Sequence, residues 1–249
     1  MLRPDTVGLN IAAGVWSDLT KQGQDYRLSH RDYRCMDKTH PSHPDFWNSR
    51  YLSGQTPWDF GGVPAGLQEF LRRKVKGSNP NARGRVLVPG CGAGYEIKAF
   101  ADAGFDVTGL DLAPAAVERA RKVVGPALAS NIVIGDFFQY DFGNAAFDLI
   151  YERNFLCAIM PDRREAYRDR VAQLLKYRGA LLGYFYYNKP VIADGPPFGF
   201  AWGTADDLFA RYFLLGKDSP VADSLPVFAG RERWQEWHRT SYDSPVNPA

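Results

Sequence analysis

The chain has 249 residues, 45% of them hydrophobic and 14% aromatic, with a formal net charge of +2. This composition excludes a disordered or collagen-like polymer and allows one domain with a sizeable core. Lys and Arg are scattered, which excludes the concentrated basic face that nucleic acid needs.

Three cysteines, Cys35, Cys91 and Cys157, make no disulfide framework and suit a reducing compartment. No apolar run approaches the ~20 residues that span a bilayer. The N-terminus lacks the basic-then-apolar layout of a signal peptide. The expectation is a cytoplasmic protein with no membrane or nucleic-acid partner.

Residues 1–43 are mixed and read as an arm ahead of a domain over 44–249: either a loosely ordered terminus or a lid over a site. His30, His40 and His43 lie in it without a Cys or acidic residue at ligand spacing, so they are expected to be solvated and no metal site is predicted. Pro44 to Leu52 is predicted helical, with Phe46, Trp47 and Tyr51 on one face. A turn follows, Gly54-Gln55-Thr56-Pro57-Trp58-Asp59, with an exposed-looking Trp58. These aromatics either seal a sheet edge or cover a cationic ligand through cation–π attraction. Val63 to Val75 is the next predicted helix, opened by Pro64, with Leu67, Phe70 and Leu71 inward. Gly77 to Asn81 is a loop.

Val86-Leu87-Val88 is the mark of a strand buried on both faces. The glycine turn Gly90-Cys91-Gly92-Ala93-Gly94 follows, and Tyr95 to Phe100 reads as a helix. Strand, glycine turn and helix bring backbone N–H groups up to a ligand. Phe105 to Leu110 is the second strand and ends on Asp111. An acidic side chain about 20 residues after the glycines suits a ribose diol. Tyr95 stands where a dinucleotide fingerprint needs its third glycine, which disfavours a pyrophosphate ligand.

Ala113 to Val124 is predicted helical, with Ala116, Val117, Ala120 and Val123 or Val124 inward and Gly125-Pro126 ending it. Asn131 to Gly135 is the third strand. Asp136, Phe137 and Phe138 follow it and suit an adenine, or else a buried Phe pair behind an N-cap. Phe147 to Tyr151 is the fourth strand, leading to Glu152-Arg153-Asn154. Asp162 is expected to cap a helix from Arg163 to Lys176, and Gly179 to Tyr187 is the fifth strand. A Gly/Pro-rich loop spans Asn188 to Gly203, followed by a helix from Thr204 to about Tyr212. Weak strands are expected around 217–227 and 236–242. This alternation predicts an α/β fold with a parallel sheet and helices on both faces. In such sheets ligands sit at the C-terminal strand ends, where Gly90 to Gly94, Asp111, Asp136, Glu152, Arg153 and Tyr186 all fall.

From about Phe46 to about Arg239 the sequence resembles the thiopurine S-methyltransferase family of class I S-adenosylmethionine-dependent methyltransferases, with its halide and thiol methyltransferase branch. The resemblance rests on Trp47…Tyr51…Gly54-Gln55-Thr56-Pro57-Trp58-Asp59 and on Leu87-Val88-Pro89-Gly90-Cys91-Gly92-Ala93-Gly94. It rests also on Phe147 to Arg153 with Cys157-Ala158-Ile159 and Pro161, and on Gly195-Pro196-Pro197-Phe198. It implies a Rossmann-like, seven-stranded, mostly parallel sheet with the last strand antiparallel. It also implies S-adenosylmethionine as cofactor, leaving as S-adenosylhomocysteine. Gly90, Cys91 and Gly92 would approach the methionine part, Asp111 the ribose, and Asp136 and Phe137 the adenine, with Leu112 among the cofactor-binding residues. Trp47, Tyr51 and Trp58 would lie over the cofactor, Tyr51 standing where the family often has a second Trp. Glu152 is grouped with the cofactor residues, while Arg153 and Tyr186 match positions facing the acceptor.

Methyl transfer from a sulfonium is an in-line displacement that depends mainly on positioning. A thiol near pKa 8.5 ionises readily beside a cation, so Arg153 is expected to stabilise an anionic acceptor, with Tyr186 or Tyr187 orienting it. The bland alternative pairs Arg153 with Glu152 or another carboxylate. No residue stands out as a general base, and Cys91 lies inside the cofactor turn rather than acting as a nucleophile. The expected enzyme is a monomer that methylates a small molecule, most readily a thiol. O, N or halide acceptors, a nicotinamide-dependent oxidoreductase and a non-catalytic cofactor-binding module remain the alternatives.

Overall fold

The computed structural model describes residues 37–76, 83–188, 195–201 and 203–240. Most of the arm, with His30 and Cys35, lies outside the described residues, as do the loop at 77–82 and most of the Gly/Pro-rich loop.

Among the described residues the helices are α1 (Pro44–Ser53), α2 (Ala65–Lys76), α3 (Tyr95–Asp102), α4 (Pro114–Val124), α5 (Arg164–Leu174) and α6 (Thr204–Phe209). The strands are β1 (Arg85–Pro89), β2 (Asp106–Asp111), β3 (Ile132–Ile134), β4 (Phe147–Arg153), β5 (Leu175–Tyr186), β6 (Phe213–Pro220) and β7 (Glu232–Arg239). They form one seven-stranded sheet in the order β3-β2-β1-β4-β5-β7-β6. β1 to β5 pair in parallel, and β7 runs antiparallel to both β5 and β6. The strand order reverses between β1 and β4, which opens a crevice at their C-terminal ends.

Alternation along each strand decides what lies on which face. Val86, Val88, Leu149, Tyr151, Leu182 and Tyr184 join the cluster formed with α2, α3 and α4. Leu87, Ile150, Leu181 and Phe185 join the cluster formed with α5 and α6. The helices present the faces expected from their spacing: Leu67, Phe70 and Leu71 on α2, and Ala116, Val117, Ala120 and Val124 on α4, are buried. A fully buried Leu or Phe contributes about 1.5–3 kcal/mol, so the two clusters together dominate the favourable side of folding.

Several expectations are corrected. Asp162 makes no cap: a 3-10 turn at Pro161–Arg163 precedes α5, whose first residues receive no side-chain cap. α5 stops at Leu174 because Leu175 is already extended and starts β5. α6 ends at Phe209, and β6 begins at Phe213, earlier than expected. The apolar run Phe213-Leu214-Leu215 continues a helical pattern in sequence but alternates buried and exposed at the sheet edge. β7 begins at Glu232 rather than near Glu236, because its buried polar side chains find partners inside. Glu232 meets Arg153, and Gln235 accepts from the Tyr187 hydroxyl and the Trp237 indole. His43 is buried rather than solvated; its Nδ1 accepts from the Asp45 N–H at 3.0 Å and so starts α1.

Candidate active site

A cavity of about 400 Å³ occupies the crevice at the C-terminal ends of β1, β2 and β4. Its floor is the glycine turn. Gly90 and Gly92 adopt φ of 59° and 52°, in the left-handed region that disfavours side chains. A Cβ at Gly90 would lie 2.6 Å from the Phe155 ring, and one at Gly92 would lie 2.9 Å from the Tyr51 hydroxyl. The turn is clamped by Asp111, whose two oxygens accept from the N–H groups of Gly92 and Ala113, each at 2.9 Å. Burial raises the Asp111 pKa, with the backbone donors opposing it. Asp111 therefore shapes the turn as well as facing the cavity.

α1 supplies one wall. Trp47 and Trp58 meet edge to face at 5.5 Å, and the Trp58 indole N–H donates to the Tyr51 hydroxyl at 3.3 Å. Trp58 is half-buried against this pair rather than exposed. Phe46 leaves the shared face and lies under the Arg50 guanidinium, 3.5 Å from its ring centre. α1 is held to the domain by Asn48, whose Oδ1 accepts from Ala115 N–H at 2.9 Å in the first turn of α4. Asp59 pairs with Arg119 of α4 at 2.5 Å and pins the loop that carries Trp58.

At the β3 side, Asp136 accepts from the N–H of Phe138 and the amide of Gln139. Phe137 packs edge to face on Phe138 and Phe155. At the β4 side stands Arg153, with a side chain only 10% exposed. Its Nη1 donates to Glu232 at 2.6 Å, and its guanidinium lies 4.3 Å from the Tyr184 ring centre. Its Nε and Nη2 are buried with no hydrogen-bond partner among the described residues.

The lining thus brings together Trp47, Tyr51, Trp58, Gly90, Cys91, Gly92, Asp111, Leu112, Asp136, Phe137 and Arg153, as the sequence suggested. It does not include Glu152 or Tyr186. Alternation along β4 sends Glu152 to the face opposite Arg153. There its carboxylate accepts from the N–H groups of Phe155 and Leu156 and from the Tyr167 hydroxyl. Tyr186 lies one layer back, stacked at 5.2 Å on Phe228, which does line the cavity. Cys91 is buried within the turn, and burial pushes its thiol pKa well up, away from nucleophile chemistry.

Sequence reading missed Glu96, Asp59, Phe155 and Cys157, all of which line the cavity. Glu96 is the instructive one, since an acid in a helix's first turn is ordinary dipole chemistry and gives no signal of its own. It is 8% exposed, and burial raises its pKa to about 7.

The family model described as Thiopurine S-methyltransferase (TPMT) matches residues 42–239, the stretch that contains every cavity-lining residue except Pro41. The chain belongs to the thiopurine S-methyltransferase family. It is 33% identical over 201 residues to Thiocyanate methyltransferase 1 of Brassica oleracea, covering 78% of this chain and 84% of that one. It is 35% identical over 157 residues to Probable thiol methyltransferase 2 of Arabidopsis thaliana, covering 61% and 66%. To Thiopurine S-methyltransferase of Vibrio atlanticus (strain LGP32) it is 28% identical over 198 residues, covering 73% and 88%. The fold is shared with the Burkholderia thailandensis 1,6-didemethyltoxoflavin-N1-methyltransferase, solved with bound S-adenosylhomocysteine. The TM-score there is 0.62 at 19% identity, over 87% of this chain and 93% of that one. The chain is an S-adenosylmethionine-dependent methyltransferase with a Rossmann-like fold. Its glycine turn, where added Cβ atoms would collide, its aromatic wall and its paired acidic positions fit a nucleoside carrying a sulfonium.

Proposed function

We propose that this family member is an S-methyltransferase for a small thiol, working as a monomer through residues of the domain over 44–249, with 1–43 as an arm ahead of it. S-adenosylmethionine supplies an electrophilic methyl group on a sulfonium and departs as a neutral thioether. Gly90, Cys91 and Gly92 approach its methionine part, Asp111 and Leu112 the ribose, and Asp136 and Phe137 the adenine. Trp47, Tyr51 and Trp58 offer aromatic faces to the sulfonium, an attraction of up to ~2 kcal/mol once water is excluded.

The observation that carries the acceptor reading is Arg153: a buried cation at the cavity wall whose Nε and Nη2 find no acceptor among the described residues. An anionic sulfur at this wall answers the guanidinium's positive charge, while Phe60, Phe155 and Phe228 keep the surroundings dry. A permanently ionised anion such as thiocyanate or a halide meets the same charge and is the second reading. Incubating the protein with methyl-labelled cofactor and a panel of alkyl thiols, aryl thiols, thiocyanate, phenols and amines tests the assignment. Label in thioether products supports it; label confined to phenols or amines overturns it.

A further inference from the structure

We propose that Glu96 is the proton acceptor that ionises a neutral thiol in this cavity, an assignment that rests on the S-methyltransferase reading. Other acids around the cavity are already engaged. Asp111 takes two backbone N–H groups, Asp59 pairs with Arg119, Asp136 takes Phe138 and Gln139, and Glu232 takes Arg153 and the Ser224 hydroxyl. Glu96 is 8% exposed and lines the cavity, and among the described residues no other residue donates a hydrogen bond to it. Its carboxylate opens onto the cavity, where a ligand can meet it.

Its charged and titratable neighbours include Arg153, the cation assigned to the acceptor. Arg153 and Tyr151 come from β4, Asp59 from the loop after α1, and Cys91 from the glycine turn. Arg153 opposes the effect of burial, and the Asp59 charge adds to it. The result is a carboxyl poised near neutrality, the range in which a general base is most effective. Arg153 and Glu96 act on different atoms of the acceptor. The cation holds the sulfur, and the carboxylate takes its proton.

The thiol S–H bond breaks and its proton goes to a Glu96 carboxylate oxygen. The freed sulfur lone pair forms the new S–C bond to the methyl group. The electron pair of the old C–S bond stays with the departing thioether, and Glu96 returns its proton to water once the cavity opens.

Glu96→Gln keeps the size and removes the base. The test compares an alkyl thiol, 2-mercaptoethanol, with thiocyanate, which carries no proton to remove. General-base catalysis contributes 10²–10⁴-fold, so the variant is expected to lose roughly 100-fold in kcat with 2-mercaptoethanol and to keep its thiocyanate rate. For the wild type, kcat/KM with the thiol should fall below about pH 7, and this acidic limb should vanish in the variant. Calorimetry on the cofactor-free proteins should give equal S-adenosylmethionine affinities. Equal losses with both acceptors, a retained acidic limb, or cofactor binding weakened by tenfold or more would overturn the assignment. The last outcome would give Glu96 to the cofactor's ammonium group. Wild-type turnover of thiocyanate without any thiol also overturns it, while leaving the enzyme a methyltransferase. A wild type that binds cofactor yet methylates no sulfur acceptor overturns the S-methyltransferase reading and this assignment with it.

Discussion

At the scale of single residues, the site depends on side chains and glycines that each answer two demands. Gly92 must adopt positive φ and also leave room for the Tyr51 hydroxyl. A non-glycine residue in the left-handed region costs roughly 1–2 kcal/mol, so Gly92→Ala should weaken S-adenosylmethionine binding about tenfold or more by calorimetry. Arg153 is paired with Glu232 and faces the cavity as well. Removing one partner of a buried ion pair costs about 3–5 kcal/mol. Arg153→Ala should therefore lower the unfolding midpoint sharply and says little about catalysis. Arg153→Lys retains the charge but cannot serve Glu232 and an acceptor together. It should raise the KM of an anionic acceptor with cofactor affinity intact. The sequence made both readings of Arg153 visible; the structure shows that ion pair and cavity wall are compatible, because one guanidinium has five donors.

Among elements, the decisive one is α1, whose aromatic wall is docked on the first turn of α4 by Asn48. Such a hydrogen bond is worth about 1 kcal/mol. Asn48→Ala should lower the denaturant midpoint by that amount and, because Trp47 and Tyr51 lose their anchor, weaken cofactor binding. Unchanged binding would show that the Asp59–Arg119 pair alone holds the wall. The same scale explains why Glu152 and Arg153, neighbours in sequence, part company. A strand alternates, and β4 gives Arg153 to the cavity and Glu152 to Tyr167 behind it.

For the whole molecule, the cavity makes stability depend on pH. Burial raises Glu96 from 4.5 to about 7, so the folded state keeps this proton to higher pH than the unfolded chain does. That contribution is fully present below about pH 4.5 and is lost as pH rises through about 7. Thermal unfolding of cofactor-free wild type should lose stability relative to Glu96→Gln across this window. A constant difference between the two would mean that Glu96 titrates normally.

By itself the sequence determined the βαβ core, the glycine turn, Asp111, Asp136-Phe137 and the Trp-bearing α1, because hydrophobic periodicity and turn chemistry are local properties of the chain. Only the tertiary structure decided which side chains share the cavity. Glu152 and Tyr186 fell outside it and Glu96 came in, since strand alternation and helix packing, not distance along the chain, choose what a side chain faces. β7 was blurred for the same reason. Its Glu232 and Gln235 look like surface residues until Arg153, Tyr187 and Trp237 arrive from other parts of the fold to satisfy them.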